Sequence, residues 1–164
     1  MTEKIGLFTG SFDPVTLGHI DLLTRSSALF DKLYVGLFDN VAKVSFFPIE
    51  VRSRMLKKAL IPLTNVEVVT ATGVLAVDVA KELGVTHLVR GLRSSKDLDY
   101  EAELAFFNHH LDDTLESVFL LANPEFVYVS SSRVREMIHF GADITPFVPE
   151  SVLVEMESNE SYGE

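Results

Sequence analysis

Cysteine is absent from the 164-residue chain. That removes disulfides, thiolate zinc sites and a cysteine nucleophile from consideration. Apolar runs approaching the ~20 residues of a membrane helix are also missing, and the N-terminal residues show no signal-peptide pattern. Basic residues are scarce, with 14 Lys and Arg against 24 Asp and Glu, for a formal charge of −10. Half of that net charge sits in the tail from about residue 150, where Glu150, Glu155, Glu157, Glu160 and Glu164 occur without Lys or Arg. A non-specific nucleic-acid binder normally carries a basic face, so the balance argues against one. It leaves open a small anionic ligand, for which the local placement of a few cations matters more than the sum. What the chain has in quantity is apolar residues, 47% against 23% charged, which excludes global disorder. At about 100–200 residues per domain, residues 1–164 read as one domain with an acidic tail. A cytoplasmic enzyme or binding domain without a membrane span fits this composition.

The segments alternate. The run from Lys4 to Thr9 reads as a buried strand stopping at a Gly-Ser-Phe-Asp-Pro turn. A helix is expected from about Gly18 to Asp31, a strand from Lys32 to Phe38, and a helix from Pro48 to about Leu60. Val66–Val69 reads as a third strand, and a helix from about Gly73 to Leu83 is closed by Gly84. Thr86–Arg90 and Val118–Leu121 complete the strands. Between them Tyr100, Leu104, Phe107 and Leu111 recur at helical spacing from about Asp97 to Leu111, and most of the aromatic residues are assigned to the core. A last helix begins near Ser131, and the tail after Pro149 adds a helical turn or two before fraying. This alternation specifies an α/β fold, a doubly wound, mostly parallel five-stranded sheet with helices on both faces. Ligands of such sheets sit beyond the C-terminal strand ends, where the strand order reverses.

The unusual residues occur there. The first turn runs Thr9-Gly-Ser-Phe-Asp-Pro-Val-Thr-Leu-Gly-His19, placing Ser11 and His19 about a helix start whose N–H groups favour anions. Alone, Gly18-His19 is an ordinary capped turn. After the fourth strand, Arg90-Gly-Leu-Arg93 sets two guanidiniums around a glycine, suited to bidentate contact with phosphate oxygens. Glu101, on the next helix, is either an exposed carboxylate or an acceptor for an adenosine group. The stretch from Phe126 through Val127, Tyr128 and Val129 to Ser130, Ser131 and Ser132 enters a helix with more hydroxyls than one N-cap needs. Arg133 and Arg135 follow in the next turn, and together these groups suit a di- or triphosphate tail. Lys43 lies in the loop after the second strand, where it is either solvated or a partner for a second anion. His87, His109, His110 and His139 form no zinc-ligand spacing, so no protein-built metal site is expected.

The full string Gly10-Ser-Phe-Asp-Pro14 with Thr16-Leu-Gly-His19 resembles the T/H-x-G-H element of the nucleotidylyltransferase superfamily, and is neither a Walker loop nor a dinucleotide fingerprint. With Lys43, Arg90-Gly-Leu-Arg93, Tyr100-Glu101 and Ser130-Ser-Ser132, the chain from about residue 4 to 150 is similar to the bacterial phosphopantetheine adenylyltransferase family. The resemblance implies a Rossmann-like nucleotidylyltransferase fold and the transfer of AMP from ATP to 4′-phosphopantetheine with Mg²⁺, giving pyrophosphate and dephospho-coenzyme A. It implies ATP contacts at Ser11, Phe12, His19, Gly91, Leu92, Arg93, Glu101 and Phe126 to Ser132. It assigns phosphopantetheine contacts to Ser11, Lys43, Leu75, Arg90, Leu104 and Asn108, and transition-state stabilisation to His19, with Lys43, Arg90 and Ser11 beside it. A homo-oligomer, typically a hexamer, is implied as well. The sequence departs from the family at Val44-Ser45, where a second lysine is frequent. Nicotinamide mononucleotide adenylyltransferases and enzymes that cytidylylate polyol phosphates are the nearest alternatives, but they usually carry His where this chain has Thr16.

Overall fold

The computed structural model describes residues 3–39 and 42–158. Five strands, β1 (Ile5–Gly10), β2 (Lys32–Asp39), β3 (Val66–Thr72), β4 (His87–Leu92) and β5 (Glu116–Leu121), form one sheet in the order β3-β2-β1-β4-β5. Every neighbouring pair is parallel, so the sheet expected to be mostly parallel is wholly so among the described residues. The helices are α1 (Leu17–Ser27), α2 (Ile49–Ala59), α3 (Ala76–Leu83), α4 (Ser95–Leu111), α5 (Ser131–His139) and α6 (Glu150–Ser158). None is long and apolar enough to cross a membrane. The tail's first part forms α6, while its expected frayed end, with Glu160 and Glu164, lies outside the described residues.

Strand alternation divides the core. Phe8, Val35 and Val89 join the larger cluster with residues of α1, α2, α5 and α6, whereas Leu7 and Leu88 face the opposite way onto Val77 and Ala80 of α3. Each such fully buried side chain contributes about 1.5–3 kcal/mol by leaving water. The C-terminal helix is fastened to α2 by Ser151, whose hydroxyl donates to the Met55 carbonyl at 2.8 Å, and by a two-bond contact of Arg54 with Glu155. At the end of α3, Gly84 has φ +66°, the left-handed geometry that lets glycine close a helix at low cost.

Two expectations change. Pro48 caps α2 rather than beginning it, because its ψ of 150° is extended. More substantially, the apolar stripe of α4 is not core. Tyr100 is 60% exposed and Phe107 54%, with Leu111 and Phe106 also exposed, and the one buried residue of the helix is Glu101. The spacing correctly indicated a helix, but periodicity does not say which face meets the sheet, and here an ion pair takes the inner position.

Candidate active site

Strand β1 is central, with the chain leaving it towards β2 and β3 on one side and β4 and β5 on the other. The order reverses between β1 and β4, and the C-terminal ends of strands at such a point splay apart to leave a crevice. A cavity of about 460 Å³ opens there. Its walls bring together Ser11 and Phe12 after β1, His19 of α1, Lys43 after β2, Gly91 and Arg93 with Arg90 on β4, Glu101 of α4, and Phe126, Val129 and Ser130 to Ser132 around the start of α5. A smaller adjoining cavity of about 220 Å³ is lined by Leu75, Leu104 and Asn108. Thr9, Arg90 and Glu101 border both, so this cluster is the partition between them.

The loop after β1 is held in shape from several directions. Phe12 has φ +44°, a conformation disfavoured for a residue bearing Cβ, while its ring is buried and packs edge-on against His19 with centroids 4.9 Å apart. The Asp13–Pro14 peptide is cis. The buried Asp13 carboxylate accepts from the backbone N–H groups of Phe46 and Phe47 at 2.8 and 2.9 Å. Arg135 donates to the Asp13 carbonyl at 2.6 Å, and the Ser131 hydroxyl donates to the Pro14 carbonyl at 2.8 Å.

His19 occupies the third position of α1 and closes a capping box with Thr16. The Thr16 backbone N–H donates to His19 Nδ1 at 3.0 Å, so the neutral ring carries its proton on Nε2. Desolvation, followed by the positive fields of Arg93 and Arg90, lowers its pKa from 6.5 to about 4. Near neutral pH the imidazole is therefore an uncharged hydrogen-bond donor, not a cation.

Arg90 is aimed by its surroundings. Its Nε and Nη2 donate to the Glu101 carboxylate at 2.7 to 2.9 Å, while Nη1 donates to the Thr9 carbonyl at 2.6 Å and the Thr9 hydroxyl at 2.9 Å. Glu101 is buried rather than exposed, and both its oxygens accept from Arg90. Arg93 is positioned by Asp97, which accepts from its backbone N–H at 2.7 Å and lies 3.5 Å from its Nε. A Cβ at Gly91 would meet the methyl end of Leu22 of α1, so a larger residue between the two arginines would require that side chain to move.

Of the three serines, Ser130 alone caps α5, accepting from the Arg133 N–H at 3.2 Å. Ser132 accepts from Arg135 at 3.2 Å, leaving the first N–H groups of α5 as the natural anion contacts of that turn. Leu92, Val127 and Tyr128 are not brought to the cavity wall. Leu92 is buried on the next position of β4, and Tyr128 is 91% exposed. Arg133 likewise stays outside, paired in solvent with Glu136 at 2.6 Å, and Arg135 acts on the loop backbone.

The sequence reading missed Arg52 and the anchoring role of Asp13. A signal for Arg52 was present, since it lies in register with Val51, Met55 and Leu56 on the buried face of α2. Among the described residues no group of three or more His, Asp and Glu converges to hold a metal. The polar wall consists mainly of cationic and hydroxyl groups, a donor set that fits phosphate and not a resident divalent ion.

Comparison with known proteins agrees with this geometry. The cytidylyltransferase-like family model matches residues 7–137. A phosphopantetheine adenylyltransferase from Streptococcus gordonii is 57% identical over 157 residues, covering 96% of both chains. One from Streptococcus mutans is 59% identical over 156 residues, covering 95% of this chain and 94% of the relative. Among solved structures, a Vibrio parahaemolyticus protein assigned as a nicotinate-nucleotide adenylyltransferase superposes with a TM-score of 0.74 over 99% of this chain and 97% of its own, at 16% identity, which speaks to the fold alone. On these matches, and with the crevice between β1 and β4 built as described, the chain belongs to the phosphopantetheine adenylyltransferase family of cytidylyltransferase-like proteins.

Proposed function

We propose that this chain transfers the adenylyl group of ATP to the phosphate of 4′-phosphopantetheine, releasing pyrophosphate and forming dephospho-coenzyme A. The observation that carries the reading is the meeting of His19, Ser11, Lys43, Arg90 and Arg93 on one cavity at the reversal of strand order. The nucleophile is a phosphate monoester, mostly ionised at neutral pH, so no general base is needed. The task is to bring two polyanions together in line, which is a matter of positioning and charge neutralisation.

In this reading Lys43 and Arg90 receive the acceptor's phosphate, with Ser11 between it and the nucleotide. The pantetheine arm follows the smaller cavity along Leu75, Leu104 and Asn108, whose mixed apolar and amide lining suits an apolar chain broken by amides. ATP takes the wall formed by Phe12, His19, Gly91, Arg93, Phe126 and Val129 to Ser132, with its phosphates towards the start of α5 and Arg93. His19 donates from Nε2 to an oxygen of the phosphorus under attack, where negative charge grows. Glu101 acts by orienting Arg90. Mg²⁺, implied by the family resemblance, would be held by the oxygens of ATP rather than by a carboxylate set of this chain, and would supply charge reduction on the triphosphate. The exposed apolar face of α4 supports a homo-oligomer, a hexamer by family, and light scattering on the purified protein tests it. A cytoplasmic location completes the reading.

A pyrophosphate-release assay with ATP or CTP against phosphopantetheine, nicotinamide mononucleotide and a polyol phosphate tests substrate, donor and reaction together. Release with ATP and phosphopantetheine is expected. Release only with another acceptor would overturn the proposal.

A further inference from the structure

Arg52, in the middle of α2, is 1% exposed, and none of the contacts assigned to either substrate involves it. Its Nε donates to the Phe47 carbonyl at 2.9 Å and its Nη1 to the Ser11 carbonyl at 3.0 Å. Its Nη2 donates to the Asp39 carboxylate at 2.6 Å and to the Ser45 hydroxyl at 3.1 Å. Burying a guanidinium is unfavourable unless its donors are matched, and an apolar side chain of similar volume commonly fills such a place at no loss of stability. Packing α2 against the sheet therefore does not account for an arginine here.

The acceptors share a location. Ser11 lies on the loop after β1, while Asp39 ends β2 and Ser45 lies on the segment that follows it. Lys43 stands between those last two anchors, and the Ser45 hydroxyl also donates to Asp39 at 3.2 Å. Arg52 thus ties together the two segments that bring Ser11 and Lys43 to the cavity. Asp13 makes a second tie between the same segments through the N–H groups of Phe46 and Phe47. A planar guanidinium can hold acceptors in three directions at once, which a lysine ammonium on a flexible stem does not reproduce.

We propose that Arg52 is a positioning residue for the transfer, fixing Lys43 relative to Ser11 and so the acceptor phosphate relative to the nucleotide. The inference rests on the adenylyl-transfer reading. A double-mutant cycle tests it, with Arg52→Lys made in the native chain and in Lys43→Ala, and kcat/KM for phosphopantetheine measured by pyrophosphate release. Lysine keeps the charge and loses the fork. With Lys43 present the substitution lowers kcat/KM about tenfold, the factor that 1.4 kcal/mol represents, and in Lys43→Ala by less than about twofold.

A purely structural role would give the same factor in both backgrounds, and that result, or no change at all, overturns the proposal. Thermal melts followed by circular dichroism establish that each variant is folded. Should Arg52→Lys fail to fold, Ser45→Ala carries the same cycle from the accessible side of the network, with about a threefold loss that again vanishes in Lys43→Ala, and an equal factor in both overturns the proposal. A native enzyme that releases no pyrophosphate from ATP and phosphopantetheine would instead overturn the transfer reading, and this inference with it.

Discussion

His19 gives the folded protein a pH dependence that a substitution at this one position isolates. Its pKa of about 4 in the folded chain stands against 6.5 for an ordinary histidine. Below pH 6.5 the unfolded chain therefore binds a proton that the folded chain refuses, and stability falls as pH falls, levelling near pH 4. Evaluated between about pH 7 and about pH 5, that difference removes about 2 kcal/mol. The carboxylates held low by hydrogen bonds, Asp39 by Arg52 and Glu155 by Arg54, lose their contribution only as the unfolded chain's acids protonate, mainly below about pH 5.

The perturbation is His19→Gln, because glutamine at the third position of a capping box can still accept from the N-cap backbone while having nothing to titrate. Urea unfolding of both proteins without nucleotide, at fixed protomer concentration, gives the two stability profiles. The native protein should lose about 2 kcal/mol more than the variant across the window. Parallel profiles would refute the account of a desolvated imidazole pressed by two guanidiniums.

Other predictions concern the same residues. His19→Ala should lower kcat far more than it raises KM for ATP, and steady-state kinetics with an unchanged kcat would contradict its place at the transition state. Glu101→Gln replaces an acceptor by an N–H₂ group facing Arg90, so loss of a charged hydrogen bond of about 1.5–3 kcal/mol should cut kcat/KM by roughly 10- to 150-fold, with retained activity in the pyrophosphate assay as the contrary result. Asp13→Ala removes the acceptor of the Phe46 and Phe47 N–H groups, and at about 1–3 kcal/mol for the buried Phe47 donor should shift the urea midpoint downward unmistakably. Gly84→Ala forces a Cβ into left-handed backbone and should lower stability by about 1 kcal/mol in the same experiment.

The strands were legible because each is a short apolar run between turn residues, and the alternation with helices left few topologies to consider. The site's main cations were legible because they stand at or shortly after the C-terminal ends of strands, in an order matched by one family. What escaped were pairings across long separations. Arg52 is 41 positions from Ser11, and nothing local to α2 announces that its guanidinium reaches the loop after β1. Glu101 stood open between an exposed carboxylate and an acceptor for adenosine, and nothing in Tyr100-Glu101 announces that Arg90 folds back onto it. The α4 stripe misled in the opposite sense, since apolar spacing reports a helix without reporting its neighbour. Arg133 and Arg135 stand two residues apart, yet one points to solvent and the other grips the Asp13 carbonyl.

The strand order also divides the site between the two ends of the chain. β2 and β3 extend the sheet on one flank of β1, and the other flank is supplied by His87–Leu92 from the second half of the sequence. Ser11 and Lys43 come from the first half, whereas Arg90, Arg93 and the serines that open α5 come from the second. The cavity is therefore a seam between the halves, and Ser131 and Arg135 stitch it by holding the Pro14 and Asp13 carbonyls.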